Sequence, residues 1–233
     1  MNDAPAPFAP TPSALAAIID HTLLRPDATA EAVRQLCDEA VAFRFHAVCV
    51  NPLWVAAARR VLAAAPVAVC AVVAFPFGAT PAANKAAEAA RAVADGAAEI
   101  DMVIAIGALK SGDHDAVRAD IAAVRRAVPA ALLKVIIETA LLTEAEKIAA
   151  CRLAVAAGAD FVKTSTGYGG GGATIADIAL MRRIVGPKLG VKASGGIRDT
   201  ATANAMIAAG ANRIGASASL VLVGAAKASA DSD

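Results

Sequence analysis

FVKTSTG, residues 161–167, sets a lysine inside a short run that otherwise reads as a buried strand. Phe161 and Val162 are apolar, Thr164 is β-branched, and Gly167 ends the run. GVKASGG, residues 190–196, repeats the arrangement around Lys192. A lysine is strongly hydrated and costly to bury. A single strand lysine is more often salt-bridged or snorkelling than chemical, because its long stem reaches water. Two of them, each just before a turn of small residues, require an architecture that brings strand ends together.

Working outward, the chain alternates. Apolar runs that read as buried strands are IIDHTLL (18–24), HAVCV (46–50), VAVCAVVAF (67–75) and EIDMVIAI (99–106). They continue as LLKVIIET (132–139), DFVKTST (160–166), LGVKAS (189–194) and NRIGAS (212–217). Between them lie stretches with apolar residues at helical spacing, such as ATAEAVRQLCDEAVAF, TPAANKAAEAARAVADG and TEAEKIAACRLAVAAG. Thr80-Pro81 and the Thr143/Glu146 capping box read as helix starts. Gly96, Gly158 and Gly210 stand where helices end. Eight such units predict a single (β/α)8 TIM barrel. A doubly wound open sheet is the alternative. It would want G-x-G-x-x-G after the first strand, whereas the glycines gather after the last three.

The 233 residues suffice for one sizeable core. We expect a flexible tail over 1–12, one catalytic domain over 13–228 and a frayed end over 229–233. The longest glycine-rich piece, GYGGGGAT (167–174), lies inside the fold. A net charge of +1 without charged blocks argues against a nucleic acid or an acidic membrane as partner. MNDAPAPFAPTPS has neither a basic start nor an apolar core, so no signal peptide is expected. Cys37, Cys49, Cys70 and Cys151 form no C-x-x-C pair and read as buried free thiols. The expected location is the cytoplasm.

Charged residues on strands of a closed parallel barrel point inward or toward its mouth. The candidates are Asp20, Asp101, Lys134, Glu138, Lys163 and Lys192. They must satisfy one another, because an isolated buried ion costs several kcal/mol. Strands six and seven are neighbours in a barrel, so equivalent positions on them lie close. A desolvated lysine beside another cation is one route to a neutral, nucleophilic amine. Ser194-Gly195-Gly196 and Gly215-Ala216-Ser217, with a helix start near Ala218, stand where barrels commonly hold phosphate. Together these point to Schiff-base chemistry on a small phosphorylated carbonyl compound. His21, His46 and His114 do not form a metal cluster, and His114 reads as part of a polar surface loop. We expect Cys49 to end the second strand, either facing the pocket mouth or packing in the core, and Lys134 and Glu138 to line the barrel as a structural pair.

EIDMVI (99–104), KVIIET (134–139), FVKTSTG, GVKASGGIR (190–198) and RIGAS (213–217) closely resemble the deoxyribose-phosphate aldolase family. The resemblance runs from about Ile19 to about Leu222. It implies a (β/α)8 barrel and a class I aldolase with no metal or cofactor. The implied reaction is reversible cleavage of 2-deoxy-D-ribose 5-phosphate to acetaldehyde and D-glyceraldehyde 3-phosphate. By the same resemblance, Lys163 forms the Schiff base, and Lys192 lowers its pKa. Asp101 and Lys192 relay protons through a bound water. Asp20 lies near a substrate hydroxyl, and Thr166 neighbours the relay. Gly167, Gly195, Gly196, Gly215 and Ser217 match the phosphate cradle. Tyr168 replaces a lysine that some members carry there, and the tail lacks the tyrosine found in some. Homodimers are common among such barrels, though no sequence feature fixes an interface. Rival readings are a barrel aldolase for a ketose phosphate or keto acid, and a non-catalytic sugar-phosphate binding protein.

Overall fold

The computed structural model describes residues 11–226; the expected tails lie mostly outside them. Eight parallel strands are β1 (Ile19–Leu23), β2 (Ala47–Val50), β3 (Ala68–Val73), β4 (Glu99–Val103), β5 (Leu132–Ile136), β6 (Phe161–Lys163), β7 (Gly190–Ser194) and β8 (Arg213–Ala216). Each pairs with the next, and β8 returns to β1, so the sheet closes into a (β/α)8 barrel. The helices are α1 (Pro12–Ala16), α2 (Ala30–Ala42), α3 (Val55–Leu62), α4 (Ala82–Ala94) and α5 (Ile106–Lys110). They continue as α6 (His114–Ala127), α7 (Glu144–Ala156), α8 (Ile175–Val185), α9 (Thr200–Ala208) and α10 (Ser219–Leu222).

The period of two along each strand sorts the side chains into two layers. Ile100, Met102, Leu133, Val135, Val162, Val191 and Ile214 face outward into the main apolar core, against the helices. The alternate positions face the barrel axis. There a small apolar group of Leu24, Ala47, Cys49, Cys70 and Val72 shares space with buried Asp20, Asp101, Lys134 and Lys192. The apolar shell therefore carries the fold, and the axis is left for polar chemistry.

Local signals set the helix ends. The Thr143 side chain accepts from the Glu146 N–H, and the Glu146 carboxylate accepts from the Thr143 N–H at 2.7 Å. Gly96, Gly158 and Gly210 all adopt positive φ just past α4, α7 and α9. One expected start differs: Pro81, not Thr80, caps α4, and its carbonyl accepts from the Asn84 N–H at 2.9 Å. A proline supplies no side-chain acceptor, so this end has no side-chain cap. His114 opens α6 instead of lying in a loop, because the Asp113 carboxylate accepts from the Ala116 N–H at 3.0 Å. Among the described residues, no helix is long and apolar enough to cross a membrane.

Candidate active site

The β6–β7 register places Lys163 directly opposite Lys192. Both amines donate to one oxygen, Asp101 Oδ2, each at 2.8 Å. Asp101 comes from β4, across the barrel axis. Its other oxygen, Oδ1, accepts from Lys134 Nζ at 2.9 Å and from the Cys70 thiol at 3.1 Å. One carboxylate thus holds three lysines.

Beneath this centre lies a second tier of charge. Lys192 Nζ also donates to Asp20, whose Oδ1 takes Arg213 Nη1 at 2.8 Å. Arg213 Nη1 reaches Glu99 Oε2 at 2.9 Å, and Lys134 Nζ reaches the same oxygen at 2.5 Å. The Arg213 guanidinium lies 5.2 Å from the Phe161 ring centroid, a cation–π contact. His46 closes the floor, with Nε2 at 3.0 Å from Glu99 Oε1.

Burial pushes the Asp101 carboxyl up, but Lys134, Lys163 and Lys192 outweigh it and hold it well below the usual carboxylate range. Burial likewise opposes ionisation of Asp20, and Lys192, Lys134 and Arg213 overcome it. For Lys192, burial disfavours the charge while Asp101 and Asp20 hold the ammonium above its ordinary range. Lys134 follows the same logic, through Asp101, Cys70, Asp20 and Glu99. The network therefore fixes Lys134 and Lys192 as cations. Lys163 differs in geometry: its amine has Asp101 as its one carboxylate partner among the described residues, and it keeps 2% exposure where Lys134 and Lys192 have none.

The sequence-derived candidates divide. Lys163, Lys192, Asp101, Asp20 and Lys134 converge at the axis. Both Asp20 oxygens are engaged by cations, so it grips Lys192 from below. Cys49 lies wholly buried against Cys70 in the interior, because its strand parity points it inward. Lys134 and Glu138 do not pair. β5 ends at Ile136, and Glu138 turns to φ +56°, which carries its carboxylate to the next loop. There Glu138 Oε2 accepts from the Thr166 N–H at 3.1 Å and from Thr166 Oγ1 at 2.5 Å. The Thr166 hydroxyl in turn accepts from the Tyr168 N–H at 3.0 Å. Glu138 thus shapes the loop that follows Lys163, and its left-handed backbone stores strain of about 1–3 kcal/mol.

Gly167, Gly195 and Gly196 all hold positive φ in the loops after β6 and β7. A Cβ at Gly172 would stand 2.3 Å from the Gly195 carbonyl oxygen, so these two loops meet backbone to backbone. Ser217 is exposed just beyond β8, next to Ala218, which caps α10. Tyr168 is half exposed, edge-on to Phe75 with 5.5 Å between centroids. Gly215 also meets a packing constraint: a Cβ there would lie 2.9 Å from Lys192 Cε and 3.1 Å from Ser194 Cβ. Lys192 cannot swing away, because Asp20 and Asp101 hold its amine. Gly215→Ala is therefore expected to cost about 1–3 kcal/mol by overpacking. It is also expected to lower kcat on the order of 10- to 100-fold by displacing Lys192. Urea unfolding and steady-state kinetics on the one variant check both.

Sequence reading missed Glu99 and Arg213 as site members, although EIDMVI and RIGAS contain them. It also missed Lys85, fully buried on α4, which donates to Val103 O at 2.8 Å and to Asp120 Oδ2 at 2.7 Å. Asp120 also accepts from the Ala105 N–H at 3.2 Å, so this pair fastens the end of the strand that carries Asp101.

A closed barrel whose axis holds an amine, a fixed cation and a shared carboxylate is equipped for Schiff-base chemistry on a carbonyl compound. Residues 14–226 match the model of the DeoC/LacD family aldolases, and the chain belongs to that family. It is 59% identical over 209 residues to a deoxyribose-phosphate aldolase of Brevibacillus brevis, covering 90% of this chain and 95% of that one. It is 61% identical over 214 residues to the deoxyribose-phosphate aldolase of Rhodospirillum rubrum, covering 92% and 90%. The deoxyribose phosphate aldolase of Aeropyrum pernix, described as a unique tetrameric structure, superposes with a TM-score of 0.86 at 34% identity. That match covers 92% of this chain and 91% of that one.

Proposed function

We infer that this chain is a class I deoxyribose-phosphate aldolase, an aldehyde-lyase. It reversibly cleaves 2-deoxy-D-ribose 5-phosphate to acetaldehyde and D-glyceraldehyde 3-phosphate. The observation that carries this reading is the registered lysine pair on one oxygen of Asp101.

The centre holds four cationic side chains, Lys134, Lys163, Lys192 and Arg213, against three carboxylates, Asp20, Glu99 and Asp101. The count balances when one amine is neutral, and Lys163 has the fewest anionic contacts. A neutral Lys163 attacks the aldehyde carbon, and loss of water gives a protonated imine. The imine draws electrons from C2, so the C2–C3 bond breaks with the pair held as an enamine. Asp101 and Lys192, through a bound water, take the C3 hydroxyl proton and later return one to the enamine carbon. Asp20 keeps Lys192 charged and in place. Glycine backbone after β6, β7 and β8, with Ser217, holds the phosphate. The catalytic domain is assigned to 13–228, the assembly to a homodimer and the compartment to the cytoplasm.

Borohydride reduction in the presence of 2-deoxyribose 5-phosphate or acetaldehyde, followed by peptide mapping, tests this reading. The expected adduct is on Lys163 and not on Lys192. Folded protein without a Lys163 adduct would overturn the aldolase assignment and favour a sugar-phosphate binding protein.

A further inference from the structure

Two of the four cysteines meet inside the barrel. Cys49 and Cys70 are aligned on neighbouring strands β2 and β3, and both are buried. Their sulfurs and a carboxylate oxygen of Asp101 all lie within 4.8 Å of one another. Two thiols that the mechanism above does not use converge from adjacent strands on its relay carboxylate, and the three form a donor set. We propose that Cys49, Cys70 and Asp101 form an inhibitory site for a thiophilic divalent cation of the zinc class.

The donor spacing fits once Lys134 shifts aside. Zinc binds thiolate at about 2.3 Å and carboxylate oxygen at about 2.0–2.2 Å, which sets tetrahedral sulfurs about 3.8 Å apart. Cys70 Sγ and Asp101 Oδ1 already stand 3.1 Å apart. Three protein ligands leave one position open, as zinc sites with an exchangeable ligand do. The charge balance is also met. As the ion enters, two thiol protons leave, so the total charge of the centre does not change and nothing is oxidised. Lys134 is the group in the way, at 3.4 Å from Cys70 Sγ and 2.9 Å from Asp101 Oδ1. It has other anions to lean on: Glu99 Oε2 at 2.5 Å and Asp20 Oδ2 at 3.7 Å.

The inhibitory consequence rests on the proposed function. An ion on Oδ1 draws the carboxylate's negative charge away from Oδ2, the oxygen that Lys163 and Lys192 share. Cys37 and Cys151, on α2 and α7, provide the contrast. Neither shares a donor set with a carboxylate among the described residues.

The test uses the full chain without substrate, titrated with cadmium and read by the ultraviolet thiolate-to-metal charge-transfer band. We expect a band saturating at one ion per chain, absent in Cys49→Ala and in Cys70→Ala, and retained when Cys37 and Cys151 are both alanine. If Cys70→Ala does not fold, Cys49→Ala alone decides. Zinc added before acetaldehyde and borohydride should slow Lys163 trapping on the order of tenfold, with recovery on chelation. A missing band in the wild-type chain, or a band that survives Cys49→Ala, overturns the site. A band with unchanged trapping overturns its inhibitory role. Failure of the aldolase reading shows separately, as no trapping in metal-free protein.

Discussion

Lys163→Met removes turnover by at least about 10⁴-fold while the barrel stays folded and as stable as before. The first half follows from the chemistry: without an amine at this position no imine forms, and nothing else stabilises the electron pair of the broken bond. Lys192 cannot substitute, because Asp20 and Asp101 hold it as a cation. The second half follows from the charge inventory. Removing Lys163 leaves three cationic side chains against three carboxylates. Asp101 keeps Lys134 and Lys192 as partners. Methionine fills much of the lysine stem's volume, so little packing is lost. We expect unfolding free energies of variant and parent to agree within about 1 kcal/mol. Urea unfolding and a coupled assay for glyceraldehyde 3-phosphate check the two halves. A variant that loses several kcal/mol would make Lys163 a structural cation, and the observed register of the two lysines would then need another explanation.

The fold was legible because its two layers obey different rules. Outward strand positions such as Ile100, Met102, Leu133 and Val135 are apolar and repeat at every second residue, and the capped helices between them fix the alternation. The core of the site was legible for a related reason. A charge on such a strand has nowhere to go but the axis, so Asp101, Lys163 and Lys192 stood out. The rest depended on geometry that spacing does not encode. Lys134 and Glu138 both fall in the fifth apolar run, and a structural pair lining the barrel is the expectation. The chain leaves the sheet after Ile136, and the left-handed turn at Glu138 sends its carboxylate to Thr166. Arg213 and Glu99 open their strands, where charge is ordinary, yet they form the floor that holds Asp20 and Lys134. Gly215 stands out in the sequence as part of the expected phosphate cradle, and its packing against the lysine stem crossing from β7 is not encoded in spacing. Lys85 sat among the polar positions of α4, and only its Asp120 partner, 35 residues away, explains its burial.

Asp101→Asn costs stability where Lys163→Met leaves it unchanged, and that contrast tests the whole inventory. The amide keeps the shape and removes the one anion shared by three lysines. Two carboxylates then face three fixed cations, Lys134, Lys192 and Arg213, in a dry interior. Breaking a buried pair in this way costs about 3–5 kcal/mol. Activity falls on the order of 10²- to 10⁴-fold, as expected for loss of an acid–base relay. The effect also depends on pH, with a sign that can be worked out. Asp20, Glu99 and Asp101 all bind protons less readily in the folded chain than in an unfolded one, because their cations outweigh burial. Their stabilisation is complete above about pH 4, the unfolded carboxylate range, and is lost as the pH falls through the lower folded values. Lys134, Lys192 and Arg213 are shifted the other way, so their contribution persists at neutral pH and fails only in alkali. The parent should therefore lose stability steeply in acid, with Asp101 supplying part of that slope. The asparagine variant starts lower and declines more gently. Urea unfolding at a series of pH values from neutrality into acid measures both slopes. Equal slopes would mean that Asp101 takes up its proton as readily folded as unfolded. A carboxylate of that kind could not hold Lys163 and Lys192 on one oxygen, and its part in the relay would fall with it.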